Sequence, residues 1–225
     1  MDRREVKKIL DSVADARHTR ERMERISGHF VGRPYQIGPL IGSADTPEVF
    51  VASLDSFDCV TYMETVLSLA EAKTPDDFER CLRRMRYAGG SVRWTKRNHY
   101  MVDWIRNNRN EGLVREVPLG SKAVIKKKTL SMLPGIPPRV RSFQAFPKRL
   151  ATTANSRIES GDLIFFASTR PHLDIFHCGL VIKKEGRSVL RHASRSQGGV
   201  VEQNLSDFLK KNRMAGIIVA RPIGP

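Results

Sequence analysis

The hydrophobic period changes once along this chain, and that change constrains its fold class more than any other feature. Up to about residue 110 apolar side chains recur at helical spacing. From Gly161 onward they come in short runs divided by turns. Helices first and an antiparallel meander second predict an α+β architecture. The strongest helical stretch runs from Asp58 to Ala72, where Val60, Met63, Leu67 and Ala70 form one apolar stripe. Asp55, Ser56 and Asp58 crowd its start, the place where carboxylates and hydroxyls cap free N–H groups. A second helix opens at once on Thr74 as N-cap, with Pro75 at the first helical position and Asp77 three residues after the cap. It ends before Gly89-Gly90, and a third helical stretch covers about residues 98–109.

The second half reads as strands over 162–167, 176–182, 188–193, 199–203 and 216–221, with the Glu185-Gly186-Arg187 turn closing a hairpin. An amphipathic helix carrying Leu205, Phe208 and Leu209 separates the last two strands. Val49-Phe50-Val51 reads as a further short strand inside a Gly/Pro-punctuated stretch. Residues 1–27 read as a separate charged helix whose Arg/Glu-rich second half is solvated, and 28–225 as a single domain. About residues 115–149 differ from the rest: they hold nine Lys or Arg against one acid, more than half of the net charge of +15. A sequence pI near 10.2 points to a polyanionic partner, whether nucleic acid, an acidic membrane surface or an anionic envelope polymer. A merely well-solvated basic surface is the alternative. No apolar run reaches the ~18 residues of a membrane span. The N-terminus shows no apolar signal segment.

Three cysteines, Cys59, Cys81 and Cys178, are too few for a disulfide framework and lack the CxxC spacing of a zinc site. Cys59 stands at the start of the strongest helix, where the macrodipole and free N–H groups stabilise a thiolate and can hold an oxyanion. His177 lies in one apolar strand and His192 in the next, so a tight hairpin can bring them to the same face as cross-strand or diagonal neighbours. A base on one strand, oriented by a polar group on its neighbour, is the generalised triad arrangement. A lone strand histidine is more often structural; two on adjacent strands, with a helix-start cysteine, favour nucleophilic catalysis. Zinc held by His177, His192 and His99 is disfavoured, because there is no HExxH and no carboxylate at ligand spacing. Cys178 follows His177 in a strand, so it faces the opposite side, toward the core. Cys81 reads as core or surface. Asp174 and the Arg97-Asn98-His99-Tyr100 cluster are polar residues among aromatics, suited equally to a pocket wall and to structure.

The stretch Ser56-Phe57-Asp58-Cys59-Val60-Thr61-Tyr62-Met63-Glu64-Thr65-Val66 resembles the N-acetylmuramoyl-L-alanine amidase-like branch of the NlpC-type, papain-like cysteine hydrolases. Four further stretches carry the resemblance: Arg97-Asn98-His99-Tyr100 with Asp103-Trp104; Ser160-Gly161-Asp162; Leu173-Asp174 through His177-Cys178-Gly179; and Leu190-Arg191-His192-Ala193-Ser194. They follow the family's order from about residue 30 to the end. The resemblance implies a papain-like fold with the nucleophile helix packed on an antiparallel sheet. It implies Cys59 as nucleophile, His177 as base and His192 as the orienting residue, with Asp58, Tyr62, His99, Tyr100 and Asp174 beside the substrate. The implied reaction is hydrolysis of the amide between N-acetylmuramic acid and L-alanine in peptidoglycan fragments, through a thioester and with no cofactor. Cleavage at the D-glutamyl–diaminopimelate bond by the same triad is the nearest alternative, and a lapsed triad on a polyanion-binding module is another. The implied partner is a peptidoglycan or muropeptide, with an anionic envelope polymer second and nucleic acid disfavoured. A wall hydrolase trimmed of a signal peptide belongs in the periplasm or envelope; an untrimmed one belongs in the cytoplasm. One departure stands out: the residue after His177, often β-branched in such proteins, is here Cys178.

Overall fold

A computed structural model describes residues 1–224. Helices α1 (Arg3–Asp11), α2 (Thr19–His29), α3 (Cys59–Glu71), α4 (Pro75–Arg86) and α5 (Met101–Asn110) precede the main sheet. Eight strands follow: β1 (Val114–Glu116), β2 (Val124–Leu130), β3 (Arg139–Ala145), β4 (Leu163–Ala167), β5 (Ile175–Lys184), β6 (Arg187–Ser194), β7 (Gly199–Asn204) and β8 (Gly216–Pro222). Helix α6 (Leu205–Lys211) lies between the last two. Six strands make one antiparallel sheet in the order β1-β8-β4-β5-β6-β7, and β2 with β3 forms a separate hairpin. The fold is therefore α+β with an antiparallel sheet, as the change of period predicts.

The sheet has two apolar faces. Phe165, Cys178, Leu180 and Ile218 face the core shared with α1–α5. Ile164, Phe166, Val181 and Ile217 face the other way, against α6 and a 3-10 stretch over Lys148–Arg157. Strand alternation sends successive residues to opposite layers.

Helix α3 begins where its capping chemistry dictates. Asp58 takes the Val60 and Thr61 N–H groups on its side chain, and Thr61 returns its hydroxyl to the Asp58 N–H. The helix differs from its expected one-sided stripe, since every residue from Thr61 to Ala70 is buried. Helices α1, α2 and α4 and strands β5 and β6 surround it. The consequence is a set of buried polar groups, the largest being Glu64. Its carboxylate accepts from Arg86 Nε at 2.7 Å and Trp104 Nε1 at 3.1 Å, so the charge is paired as well as bonded.

The N-terminal segment is two helices rather than one. Ser12 donates its hydroxyl back to Ile9, and the Val13 carbonyl accepts from Ala16 N and from Arg22, so the chain turns there instead of continuing the helix. The second half is not solvated throughout. Met23 and Ile26 are core, and Arg22 donates to the Ala70 and Ala72 carbonyls, each at 2.7 Å, satisfying the open C-terminal end of α3. Val49 makes only an isolated bridge to Ile41, and no strand forms there. The basic 115–149 stretch contributes β1 and the β2–β3 hairpin. Several of its cations are internal ties: Lys128 donates to the carbonyls of Ser168, Arg170 and Leu173, while Arg139 and Arg141 close on Asp103. Among the described residues no helix is long and apolar enough to cross a membrane.

Candidate active site

Three elements converge on Cys59. The first is the N-terminus of α3, of which Cys59 is the first residue. The second is β5, which brings His177 on one face and Cys178 on the other. The third is β6, which brings His192. The pairing Leu180↔Arg191 places Gly179 opposite His192, and a Cβ on Gly179 would meet the His192 Cβ at 2.9 Å. His177 and Gly179 share a face, so the two histidines are diagonal neighbours. Their rings meet edge to face, with His177 Nε2 2.6 Å from His192 Nδ1. The absence of a side chain at Gly179 makes that approach possible. A bulge precedes His177, because Phe166 pairs with His177 while Ala167 pairs with Ile175. The extra residue, Phe176, turns outward and stays 36% exposed.

The electrostatics favour a thiolate. Cys59 is held well below the ordinary thiol range, first by a hydrogen bond from the Cys178 thiol and then, against the cost of burial, by the hydrogen bond and charge of His177. The α3 dipole acts in the same direction. With Nε2 committed to His192, Nδ1 is the ring nitrogen that His177 has left for the thiol. Burial, then the neighbouring His177, push His192 down to about 3, so it is neutral at working pH. A neutral His192 accepts the His177 Nε2–H on Nδ1 and carries its own proton on Nε2, beside Gln203. The His192 Nε2 is buried without a hydrogen-bond partner, so the contact between the two rings is what sets these tautomers.

Cys178 lies on the core side, as strand alternation predicts, but it is also part of this cluster. Its thiol donates to the Cys59 carbonyl oxygen at 3.3 Å, and the Cys59 thiolate followed by burial raises it well above the usual thiol range. Asp58 is raised to about 6, by burial and then by the Cys59 charge, against the opposing hydrogen bonds from Thr61.

The other expected substrate contacts fare differently. Tyr62 is fully buried, its hydroxyl donating to the Ser27 carbonyl; a side chain one turn into a helix wrapped on all sides points into the core. Tyr100 is 4% exposed and accepts the Met132 N–H on its hydroxyl. Asp174 is buried and accepts the Val102 N–H at 2.8 Å, capping α5 from another element. His99 pairs Nε2 with the Trp94 carbonyl at 2.7 Å and packs on the Trp94 ring, and burial lowers it to about 4. In each of the four a polar side-chain atom is already bonded within the protein. The groove beside the histidines, about 460 Å³, is lined instead by Phe176, Ser194, Arg195, Ser196, Phe208 and Asn212. Tyr35 also feels the charges of Cys59, Asp58 and Arg195, which places it in the same neighbourhood. Strand ends, a loop and α6 supply these residues; Phe176, Ser194, Arg195 and Ser196 lie near His177 and His192 in the sequence, whereas Phe208 and Asn212 come from α6 and its C-cap. A second cavity of about 400 Å³, lined by Asp103, Arg106 and Arg141, shares no residue with this groove. Among the described residues no group of three or more His, Cys, Asp or Glu is arranged to hold a metal ion.

Comparison with known proteins agrees in part with this geometry. The model of a family described as N-acetylmuramoyl-L-alanine amidase-like matches residues 25–217. A solved N-acetylmuramoyl-L-alanine amidase from Bacteroides uniformis ATCC 8492 is 26% identical, with a TM-score of 0.80 over 91% of this chain and 98% of that one. A protein from Legionella pneumophila str. Philadelphia 1 shares the fold, with a TM-score of 0.85 at 21% identity over 98% of this chain and 94% of that one. A Bacteroides fragilis protein described as a putative xylanase is 30% identical, with a TM-score of 0.77 over 87% of this chain and 98% of its own. No curated protein matches the chain.

Proposed function

We propose, for a chain that belongs to the N-acetylmuramoyl-L-alanine amidase-like family, that its amidase chemistry is cysteine-dependent and cuts the bond between N-acetylmuramic acid and L-alanine in peptidoglycan fragments. The observation that carries this reading is the approach of His177 to both the Cys59 thiol and His192 at the N-terminus of α3. On this reading the fold is of the papain-like, NlpC type.

In the proposed reaction the Cys59 thiolate attacks the lactyl carbonyl carbon and the carbonyl electrons move to oxygen. The N–H groups of Val60 and Thr61 are taken by Asp58 and that of Tyr62 by the Asp58 carbonyl. The Cys59 N–H has no partner among the described residues, so it is the backbone donor left for the oxyanion. His177 then gives its Nδ1 proton to the departing L-alanine nitrogen, the C–N bond breaks and a thioester remains. Water attacks that thioester, His177 takes its proton, and the lactyl carboxylate leaves as the thiolate reforms. His192 holds the His177 ring in the plane this requires. Phe176 offers an exposed aromatic face and Arg195 a cation for a sugar and a carboxylate. A glycosidase reading, suggested by the name of the Bacteroides fragilis protein, lacks support in the groove: glycoside hydrolysis commonly needs two facing carboxylates, and none lines it.

Digestion of defined muropeptides by the wild type and by Cys59→Ala, read by mass spectrometry, tests the proposal. Release of a free stem peptide beginning with L-alanine, absent in the variant, is the expected result. Cleavage within the stem would keep the triad and move the bond, whereas product formation by Cys59→Ala would end the cysteine mechanism.

A further inference from the structure

Cys178 has no role in that reaction scheme, yet it is the thiol placed nearest to the nucleophile. Strand β5 puts His177 on the groove side and Cys178 on the core side, and the start of α3 lies against both. The Cys178 Sγ donates to the Cys59 carbonyl oxygen at 3.3 Å, and Cys59 is the group that acts most strongly on it. A thiol in contact with the main chain of another cysteine needs only side-chain rotation and a small backbone adjustment to reach the separation a disulfide bridges. Cys59 is partly open to solvent while Cys178 is fully buried, so a small oxidant meets Cys59 first. Cys81, the remaining cysteine, sits in α4 and its surroundings are Glu71, Arg80 and Arg84 rather than Cys59.

From this geometry we infer that Cys59 and Cys178 form a reversible redox pair, in which a hydroperoxide oxidises Cys59 and Cys178 closes it as a disulfide. The Cys59 sulfur attacks the terminal oxygen of the hydroperoxide: an S–O bond forms, the O–O bond breaks, and the alkoxide or hydroxide leaves and takes a proton from solvent. Cys59 becomes a sulfenic acid. The Cys178 sulfur then attacks the sulfenic sulfur; the S–S bond forms, the S–O bond breaks, and hydroxide leaves with the Cys178 proton as water. Two thiols are oxidised by two electrons and one hydroperoxide is reduced. The order of events suits the electrostatics. The hydrogen bond with Cys59, then burial, then the Cys59 charge hold the proton on Cys178, and conversion of Cys59 to an uncharged sulfenic acid removes the charge. Oxidation of the first thiol therefore eases ionisation of the second, which stays buried. Closure blocks the nucleophile but protects it from the irreversible sulfinic and sulfonic acids, and a dithiol reopens it.

This inference concerns the thiol pair and goes beyond the amidase reading, so its test reads mass rather than activity. The full chain is treated with hydrogen peroxide, free thiols are blocked with iodoacetamide, and non-reducing digests are mapped by mass spectrometry. The expected product is a Cys59–Cys178 cross-linked peptide, lighter by two hydrogens than the two free peptides and lost on treatment with dithiothreitol. Cys81→Ser leaves it in place, and Cys178→Val replaces it with sulfinic or sulfonic Cys59. Oxygenated Cys59 beside an alkylated, free Cys178 in the wild type overturns the inference, and so does a cross-link to Cys81 or between chains. The wild-type map decides the matter even if Cys178→Val does not fold.

Discussion

Substituting Asp58 by Asn separates the two things that residue does. All three hydrogen bonds made by its side chain fall on Oδ1: from Val60 N at 3.1 Å, Thr61 N at 2.7 Å and the Thr61 hydroxyl at 2.8 Å. Asn offers the same carbonyl oxygen and ranks with Asp as an N-cap, so the cap survives. What disappears is a charge that burial and Cys59 oppose, raising the carboxyl from 3.8 to about 6. A carboxyl raised on folding contributes stability at low pH, and the contribution is lost as pH climbs from the unfolded value toward the folded one. Between about pH 4.5 and about pH 7.5 that loss is roughly 2 kcal/mol, from about 1.5 units at 1.36 kcal/mol each. Urea unfolding at the two pH values measures it. The stability of Asp58→Asn relative to wild type should improve by roughly 2 kcal/mol on going from the acidic to the neutral condition. The Cys59 thiol should also ionise at lower pH, which the pH profile of iodoacetamide labelling reports. If the variant loses the same stability at both pH values, or its labelling profile moves upward, then Asp58 acts through its cap alone and this electrostatic reasoning is wrong.

Two further substitutions test the frame around the site. Gly179→Ala places a Cβ 2.9 Å from both the Arg191 carbonyl oxygen and the His192 Cβ. The strand must shift, at a cost of about 1–3 kcal/mol, and Cys59 labelling at neutral pH should slow as His177 loses its partner; an unchanged rate and melting temperature would refute the role given to Gly179. Glu64→Gln leaves the buried Arg86 guanidinium without its counter-ion. Denaturant unfolding should show a loss of about 3–5 kcal/mol, part of it restored when Arg86→Met is added, and a loss under ~1 kcal/mol would mean that the Val51 carbonyl, which Arg86 Nη1 also meets, suffices for Arg86.

The sequence was legible where one local signal determined the outcome. Thr74-Pro75 with Asp77 opens α4 as its capping chemistry predicts, and each of the five strand runs after Gly161 is a strand. It was less legible where a tertiary partner overrode the local pattern. The segment 1–27 reads as one helix with a solvated second half, yet it forms two helices and Arg22 of the second donates to the carbonyls at the end of α3. The lysines and arginines of 115–149 read as a free cationic face. Lys128, Arg139 and Arg141 instead spend their donors on loop carbonyls and on Asp103, bonds that no local spacing announces.

The candidate site shows the same division at closer range. Cys59, His177 and His192 could be picked out because each sits where the backbone already favours chemistry: a helix start and two facing strands. Tyr62, Tyr100 and Asp174 are polar residues beside such positions, and polarity near a site does not distinguish a side chain that meets substrate from one that ties off a buried N–H or carbonyl. The structure distinguishes them by what their polar atoms already hold. The Tyr62 hydroxyl is taken by Ser27, the Tyr100 hydroxyl by Met132 and the Asp174 carboxylate by Val102, and each is at most 4% exposed. In the groove Ser194 and Phe208 form the buried floor, while Phe176, Arg195 and Ser196 are exposed instead. Phe176 is the clearest of them, because the alternation of β5 would have sent it into a layer of the protein had the bulge not inserted it as the extra residue. That one-residue insertion, invisible to a period-two reading, both exposes the aromatic ring and sets the phase of the strand that follows. His177 therefore faces the groove and Cys178 the nucleophile's core side, and the proposed base and the proposed resolving thiol both depend on it.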